Sequence, residues 1–384
     1  MSKTEYTYLD YAASAPLRQE ALIAMQQYQS QPYSHANPNS LHSQGRAAAT
    51  TLRSARADIA RCLGKGIRPQ EVIFTAGGTE SNNLAVLGIA EGVRDKDRHK
   101  TKVILSAIEH DSVLDLVGPL RDRGFEVVVI RPNKHGFVEP SRLEELLDDT
   151  VALVSIMYAN NETGVIQPIS QLAKLAKKYN AYFHTDAVQA FGRIRLDISD
   201  VDAISIAAHK IGGPVGTGAL MIRRLVPYRP IVFGGGQELG RRPGTQDVVG
   251  CVGFAAAAEK VLSEIDTVRP QVEAMATHTY KRLCANNNIV AVSDDSAEGD
   301  LPGMVSIMVK GIDSEILLLK LDEAGYEVSS GSACASDSLD PSHVLSAMNI
   351  PSDLAFGQLR ISFDERVTLD ELDGFCDCLL DIVK

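Results

Sequence analysis

The chain has 384 residues, 45% of them apolar and 23% charged, enough to bury a large core and, by length, to form two or three domains. Its formal net charge of -11 argues against unassisted binding to nucleic acid or to an anionic membrane surface. The first residues carry no apolar h-region, and the longest small-and-apolar run, 248–258, is too short to span a bilayer. The chain therefore reads as cytoplasmic.

Apolar runs at 72–75, 103–106, 126–130, 151–157, 182–185, 203–207 and 219–222 have the length of buried strands. Between several of them lie helical stretches, at 83–93, 111–121 and 171–179. This alternation predicts a mostly parallel seven-stranded sheet covered by helices. A long helical stretch follows at 254–286, where Pro270 is expected to kink or divide the helix. Then the pattern changes: strand-like 305–309, helix-like 314–324, a short extended piece at 326–329, a short helix near 344–348 and strand-like 358–363. Thr368-Leu-Asp-Glu371 is a capping box that opens a last helix. The expected architecture is a large α/β domain over 15–260, with a smaller α+β domain formed by 1–14 and 261–384.

Six cysteines, at 62, 251, 284, 334, 376 and 378, are too sparse for a disulfide framework. Cys376 and Cys378 form a CxC in the last helix, which fits two helical thiols better than a metal or redox pair.

Four segments stand out chemically. Ala76-Gly-Gly-Thr-Glu-Ser-Asn-Asn83 follows a strand and opens a helix, so Gly78, Thr79 and the free N–H groups there fit a phosphate cradle or an ordinary βα turn. Asp186, in His184-Thr-Asp186-Ala-Val-Gln189, ends a buried strand, where α/β folds place ligands. It suits either a protonated pyridine nitrogen or the start of a helix. Lys210, in Ala207-Ala-His209-Lys210-Ile-Gly-Gly-Pro, directly follows a strand and precedes a glycine-rich stretch. Burial there would free its amine for Schiff-base formation, the alternative being a surface lysine opening a loop. Ser329-Ser-Gly-Ser-Ala-Cys334-Ala-Ser-Asp-Ser338 has no large side chain to bury and is expected as an exposed, mobile loop. A thiol at its centre suits atom transfer; the alternative is an incidental exposed cysteine. Three single residues are more ambiguous. His110 fits ring stacking, proton transfer or a structural role. Asn161 fits cofactor contact or a turn, and Arg360 a substrate carboxylate or a local acid.

Together these segments resemble the IscS/NifS-type cysteine desulfurases, pyridoxal 5'-phosphate (PLP) enzymes of fold type I. The resemblance spans nearly the whole chain, from Tyr8-Leu-Asp-Tyr-Ala-Ala13 and Asn37-Pro-Asn-Ser-Leu-His42 to Gly234-Gly-Gly-Gln237 and Arg242-Pro-Gly-Thr245. It implies that Lys210 is the Schiff-base lysine and moves the Cα proton, and that Asp186 pairs with the pyridinium. Gln189 and Asn161 would touch the phenolic oxygen, and His110 would stack on the ring. Gly78, Thr79 and His209 would hold the phosphate, with Thr245 reaching the phosphate of a second subunit in a homodimer. Arg360 would bind the carboxylate of L-cysteine, and Cys334 would take its sulfur as a persulfide for sulfur-acceptor proteins of iron–sulfur assembly or tRNA thiolation. No metal site is implied.

Two features depart from the family pattern. Ala207 stands where a phosphate-binding serine is frequent, which implies weaker PLP retention. The chain ends at Lys384, without the longer tail that some members use to dock a scaffold protein. Other PLP reactions, such as transamination or selenocysteine lysis, and a non-catalytic PLP-binding partner are the alternative readings. A transaminase has no need of the Cys334 loop.

Overall fold

The short β-branched runs pair into one sheet in the computed structural model, which describes residues 6–293, 299–331 and 341–384. In chain order its strands are β1 (Val72–Thr75), β2 (Lys102–Ser106), β3 (Glu126–Ile130), β4 (Val151–Ser155), β5 (Tyr182–Asp186), β6 (Ala203–Ala207) and β7 (Gly218–Ile222). They lie in the order β1-β7-β6-β5-β4-β2-β3. Only β7 runs against its neighbours, pairing antiparallel with β1 and β6. The other pairings are parallel, so six strands point their C-terminal ends the same way.

Burial on both faces explains why these strands read as continuous apolar runs rather than alternating ones. One face, with Ile104, Val154, Phe183 and Ile204, packs in a core with helices Gln19–Gln29, Ser43–Leu63 and Ile169–Lys178. The other, with Val103, Leu105, Leu153 and Leu220, meets helix Gly78–Lys96.

A second core gathers a three-stranded antiparallel sheet, Ile289–Ala291, Met304–Val309 and Gln358–Ser362, against helices Ser314–Glu323 and Leu369–Ile382. The N-terminal strand Thr7–Tyr8 pairs with Tyr326–Glu327, and Leu9 is buried in this second core. Thr368 caps the last helix through the expected box with Glu371. Cys376 is buried in that core and Cys378 packs against it.

Helix Val248–Leu283 runs unbroken through Pro270 and links the two cores. The expected division at Pro270 does not occur. Pro270 and Asp266 are both exposed, so the carbonyl that loses its helical partner is open to water. A break appears instead in the stretch expected as one helix at 111–121, which forms Asp111–Leu114 and Val117–Asp122. Pro119 has no N–H to offer the Asp115 carbonyl across that junction. No helix among the described residues is long and apolar enough to cross a membrane.

Candidate active site

Parallel α/β sheets place their sites at the C-terminal ends of the strands, where the chain leaves the sheet in loops. Here β1, β2, β4, β5 and β6 deliver Gly78, His110, Asn161, Gln189 and Lys210 to one cleft of about 550 Å³. Thr79, His209 and Arg360 also line it, with Ala12, Ala13 and Ala207. Eight of the expected site residues therefore share one wall system. Asp186 is buried just behind it. Thr245 is exposed and does not line this cleft. Cys334 lies outside the described residues, but Gly331 and Ser342, on either side of its segment, are at the cleft. The Gly331 carbonyl accepts from Arg360 Nη1 at 3.3 Å, and Ser342 lines the wall.

Lys210 sits in a single 3-10 turn, Ala208–Ile211, that Gly212 ends with a left-handed φ of 78°. A Cβ on Gly212 would come within 2.9 Å of the Pro16 carbonyl, so only glycine closes this turn. Lys210 Nζ donates to the carbonyls of Ala12 at 2.6 Å and Ala13 at 2.9 Å. Burial, reinforced by the positive charges of Arg360 and Arg193, brings its pKa down to about 8. It is not a surface lysine. Burial and the neighbouring Lys210 lower His209 to about 4, so that ring is neutral near pH 7.

The segment 76–83 is itself the start of helix Gly78–Lys96, five residues earlier than the apolar periodicity indicated. No side chain caps this end at Gly77, leaving amides of the first turn free at the cleft wall. The local acid is fully engaged: Glu80 accepts from Arg242 Nε at 3.0 Å and from the Ala76 amide at 2.5 Å. A Cβ on Gly78 would meet Val188 Cγ2 at 2.7 Å, so the close approach also needs glycine.

Asp186 accepts from the Val188 amide at 2.8 Å and from Asn82 Nδ2 at 2.7 Å. The first bond closes a turn, and no helix begins there as the sequence allowed; the second fastens the carboxylate to helix Gly78–Lys96. Asn82 also donates to Ser112 Oγ at 2.8 Å, and the Ser112 amide donates to His110 Nδ1 at 3.0 Å. That acceptor role assigns the neutral His110 proton to Nε2. Gln189 Nε2 donates to the Ala12 carbonyl at 2.9 Å, and its Oε1 is buried without a partner among the described residues. Arg360 both lines the cleft and pairs with Asp10, at 2.8 Å, while donating to the Asn161 carbonyl at 2.8 Å. Its Nε is buried and has no partner among the described residues.

Sequence reasoning missed Asn82 and Ser112, although Asn82 stands inside the segment 76–83 and Ser112 lies two residues after His110. Short polar residues in an otherwise buried helix were the available signal. It also missed the Ala12 and Ala13 carbonyls, for which side-chain chemistry gives no clue.

The chain from residue 7 to 375 matches the aminotransferase class-V family model. It is 40% identical to Cysteine desulfurase IscS of Dictyoglomus turgidum over 98% of this chain and 94% of that protein. Among solved structures it is similar to a NifS-like protein, with a TM-score of 0.89 and 34% identity over 98% of this chain and 99% of the other. It is also similar to SspA in complex with cysteine, with a TM-score of 0.79 and 34% identity over 93% of this chain and 99% of the other. With likeness of this extent added to a lysine-centred cleft at the strand ends, the chain belongs to the IscS/NifS-type cysteine desulfurases of the class-V aminotransferase family.

Proposed function

We propose that this chain binds PLP in the cleft and converts L-cysteine to L-alanine. Sulfur passes to Cys334 as a persulfide and on to acceptor proteins of iron–sulfur assembly or tRNA thiolation. The observation that carries the reading is Lys210, a partly desolvated amine with a pKa near 8 at the meeting point of five strand ends. The similarity to SspA, whose structure holds cysteine, supports the substrate.

The residues present fit PLP. The uncapped helix end at Gly78 and Thr79 suits a phosphate, and the fixed Asp186 carboxylate suits a pyridinium. Gln189 retains an unpartnered buried oxygen. His110 is offered for ring stacking. Bound PLP supplies an electron sink that makes loss of the substrate Cα proton feasible. Lys210 takes and returns that proton, and its two carbonyl contacts with Ala12 and Ala13 orient Nζ. Arg360 receives the substrate carboxylate with the donors left over from Asp10. The Cys334 thiolate attacks the γ-sulfur, the C–S bond electrons stay with the carbon skeleton, and protonation of that skeleton leads to alanine. Thr245, exposed on a single chain, would complete the phosphate site of a second copy in a cytoplasmic homodimer. The holoenzyme with L-cysteine and a thiol reductant should release alanine and sulfide in equal amounts; formation of a keto acid without sulfide would overturn the assignment.

The phosphate end carries a prediction. Ala207 is buried and lines the cleft beside Gly78, so no hydroxyl meets a phosphate there. A hydrogen bond to a charged group is worth about 1.5–3 kcal/mol, so Ala207→Ser should tighten PLP binding roughly tenfold or more. PLP dissociation rates of the two proteins check this, and equal or weaker retention by the serine protein would contradict it.

The lysine carries another. Only the neutral amine reacts with an aldehyde, and the depressed pKa of Lys210 keeps more of it neutral at a given pH. Recombination of apoprotein with PLP should therefore accelerate about tenfold per pH unit below 8 and level off above it. A rate still climbing steeply between about pH 9 and 10 would mark an ordinary lysine.

A further inference from the structure

A second, smaller cavity of about 50 Å³ lies between the two cores, on the other side of Lys210 from the cleft. By the space one water occupies, it has room for roughly four waters. Arg193, in the turn after β5, and Arg269, on the helix that joins the cores, both line it. Arg193 Nη1 and Arg269 Nη1 are shut off from solvent and have no hydrogen-bond partner among the described residues. Burial depresses both guanidinium pKa values to about 10, and the charge of Arg193 adds to the effect on Arg269.

Unpaired buried guanidinium donors are costly; Glu273, outside the cavity lining, acts on Arg269 only through its charge. The acids that line the cavity are already engaged. Asp364 accepts from Arg18 at 3.1 Å and from Arg366 at 2.7 Å, Glu365 accepts from Arg18 at 2.7 Å, and Glu264 accepts from Lys260 at 2.6 Å. What remains is two cationic forks around a space of a few atoms. Planar forks of this kind match the spacing of oxygens in carboxylates and oxoanions.

We propose that this cavity binds a compact inorganic oxoanion, of sulfate or bicarbonate size, between Arg193 and Arg269. The anion fastens the turn after β5 to the connecting helix, and so fixes the two cores to each other beside Lys210. The cavity is too small for a nucleotide or a second PLP.

The test uses the holoenzyme and sulfate, with ionic strength held by gluconate, whose anion is too large for the cavity. Thermal unfolding should shift upward and saturate, the unfolding constant falling about 11-fold at ten times the dissociation constant. Arg193→Gln and Arg269→Gln should each remove the saturating part. Arg269→Lys, which keeps charge but not the fork, should weaken it. Crystals of the unaltered holoenzyme soaked in selenate should give an anomalous peak between the two guanidinium groups, a readout that does not depend on the variants folding. A rise that is linear in sulfate and equal in all four proteins would overturn the site, as would selenate density absent from the cavity.

Discussion

Lys210→Ala should lower alanine formation from L-cysteine by at least about 10³-fold while leaving a folded protein. Among the described residues Lys210 is the one lysine lining the cleft, so no described neighbouring amine can take over. Its loss also leaves the Ala12 and Ala13 carbonyls without their Nζ donor, at about 1–3 kcal/mol for each buried group that water does not reach. That structural effect must be separated from the chemical one. Lys210→Arg retains a cation able to reach the same carbonyls, but a guanidinium does not form the Schiff base. The arginine protein should therefore recover stability and not turnover. Circular dichroism and denaturant unfolding measure the first, and alanine release the second. Both proteins should also lack the visible absorption of a lysine-bound PLP. If turnover survives in either, the carbon–hydrogen bond is broken by another base, and the reading of the cleft fails.

Much of the sheet was legible because each strand is a short run, mostly apolar and mostly buried, and the polar residues inside them, such as His184, Thr185 and Ser205, are too few to hide it. Ends moved by only a residue or two. Helices Gln19–Gln29 and Ser43–Leu63 went unread. In the second, Ala48, Leu52, Ala55, Ile59 and Leu63 are buried at helical spacing, but two of the five are alanines, whose contrast with polar neighbours is weak. At the site, residues one to a few positions beyond a strand end were readable, since strand direction brings those positions together. Asn82 was not, because its use depends on how helix Gly78–Lys96 lies across β5, a tertiary fact. The Arg360–Asp10 pair is of the same kind, joining residues from opposite ends of the chain. Arg193 and Arg269 carry no motif at all; only packing gives them a shared cavity.

Cys334→Ala should keep PLP and lose at least about 10²-fold of desulfuration, the opposite division of effects from the lysine variants. The argument is one of atoms. Removing sulfur from cysteine with the C–S bond electrons left on carbon requires a nucleophile to receive it, and among side chains a thiolate does this best. None of the other five cysteines lines the cleft. Burial raises the thiols of Cys62 and Cys376 to about 12 and that of Cys251 well above its ordinary value, so they offer little thiolate. The residues flanking the Cys334 segment are fastened at the cleft. Arg360 holds the Gly331 carbonyl, and Ser342 donates to buried Glu162. The alanine variant leaves those anchors and the PLP-facing groups unchanged, so its visible spectrum should match the parent. Spectral changes on adding L-cysteine should still occur, because Lys210 and Arg360 remain, while persulfide on the protein, detected by mass after rapid quench, should be absent. Normal sulfide release from Cys334→Ala would assign sulfur capture to a different nucleophile, and the run of small residues around Cys334 would then need another explanation.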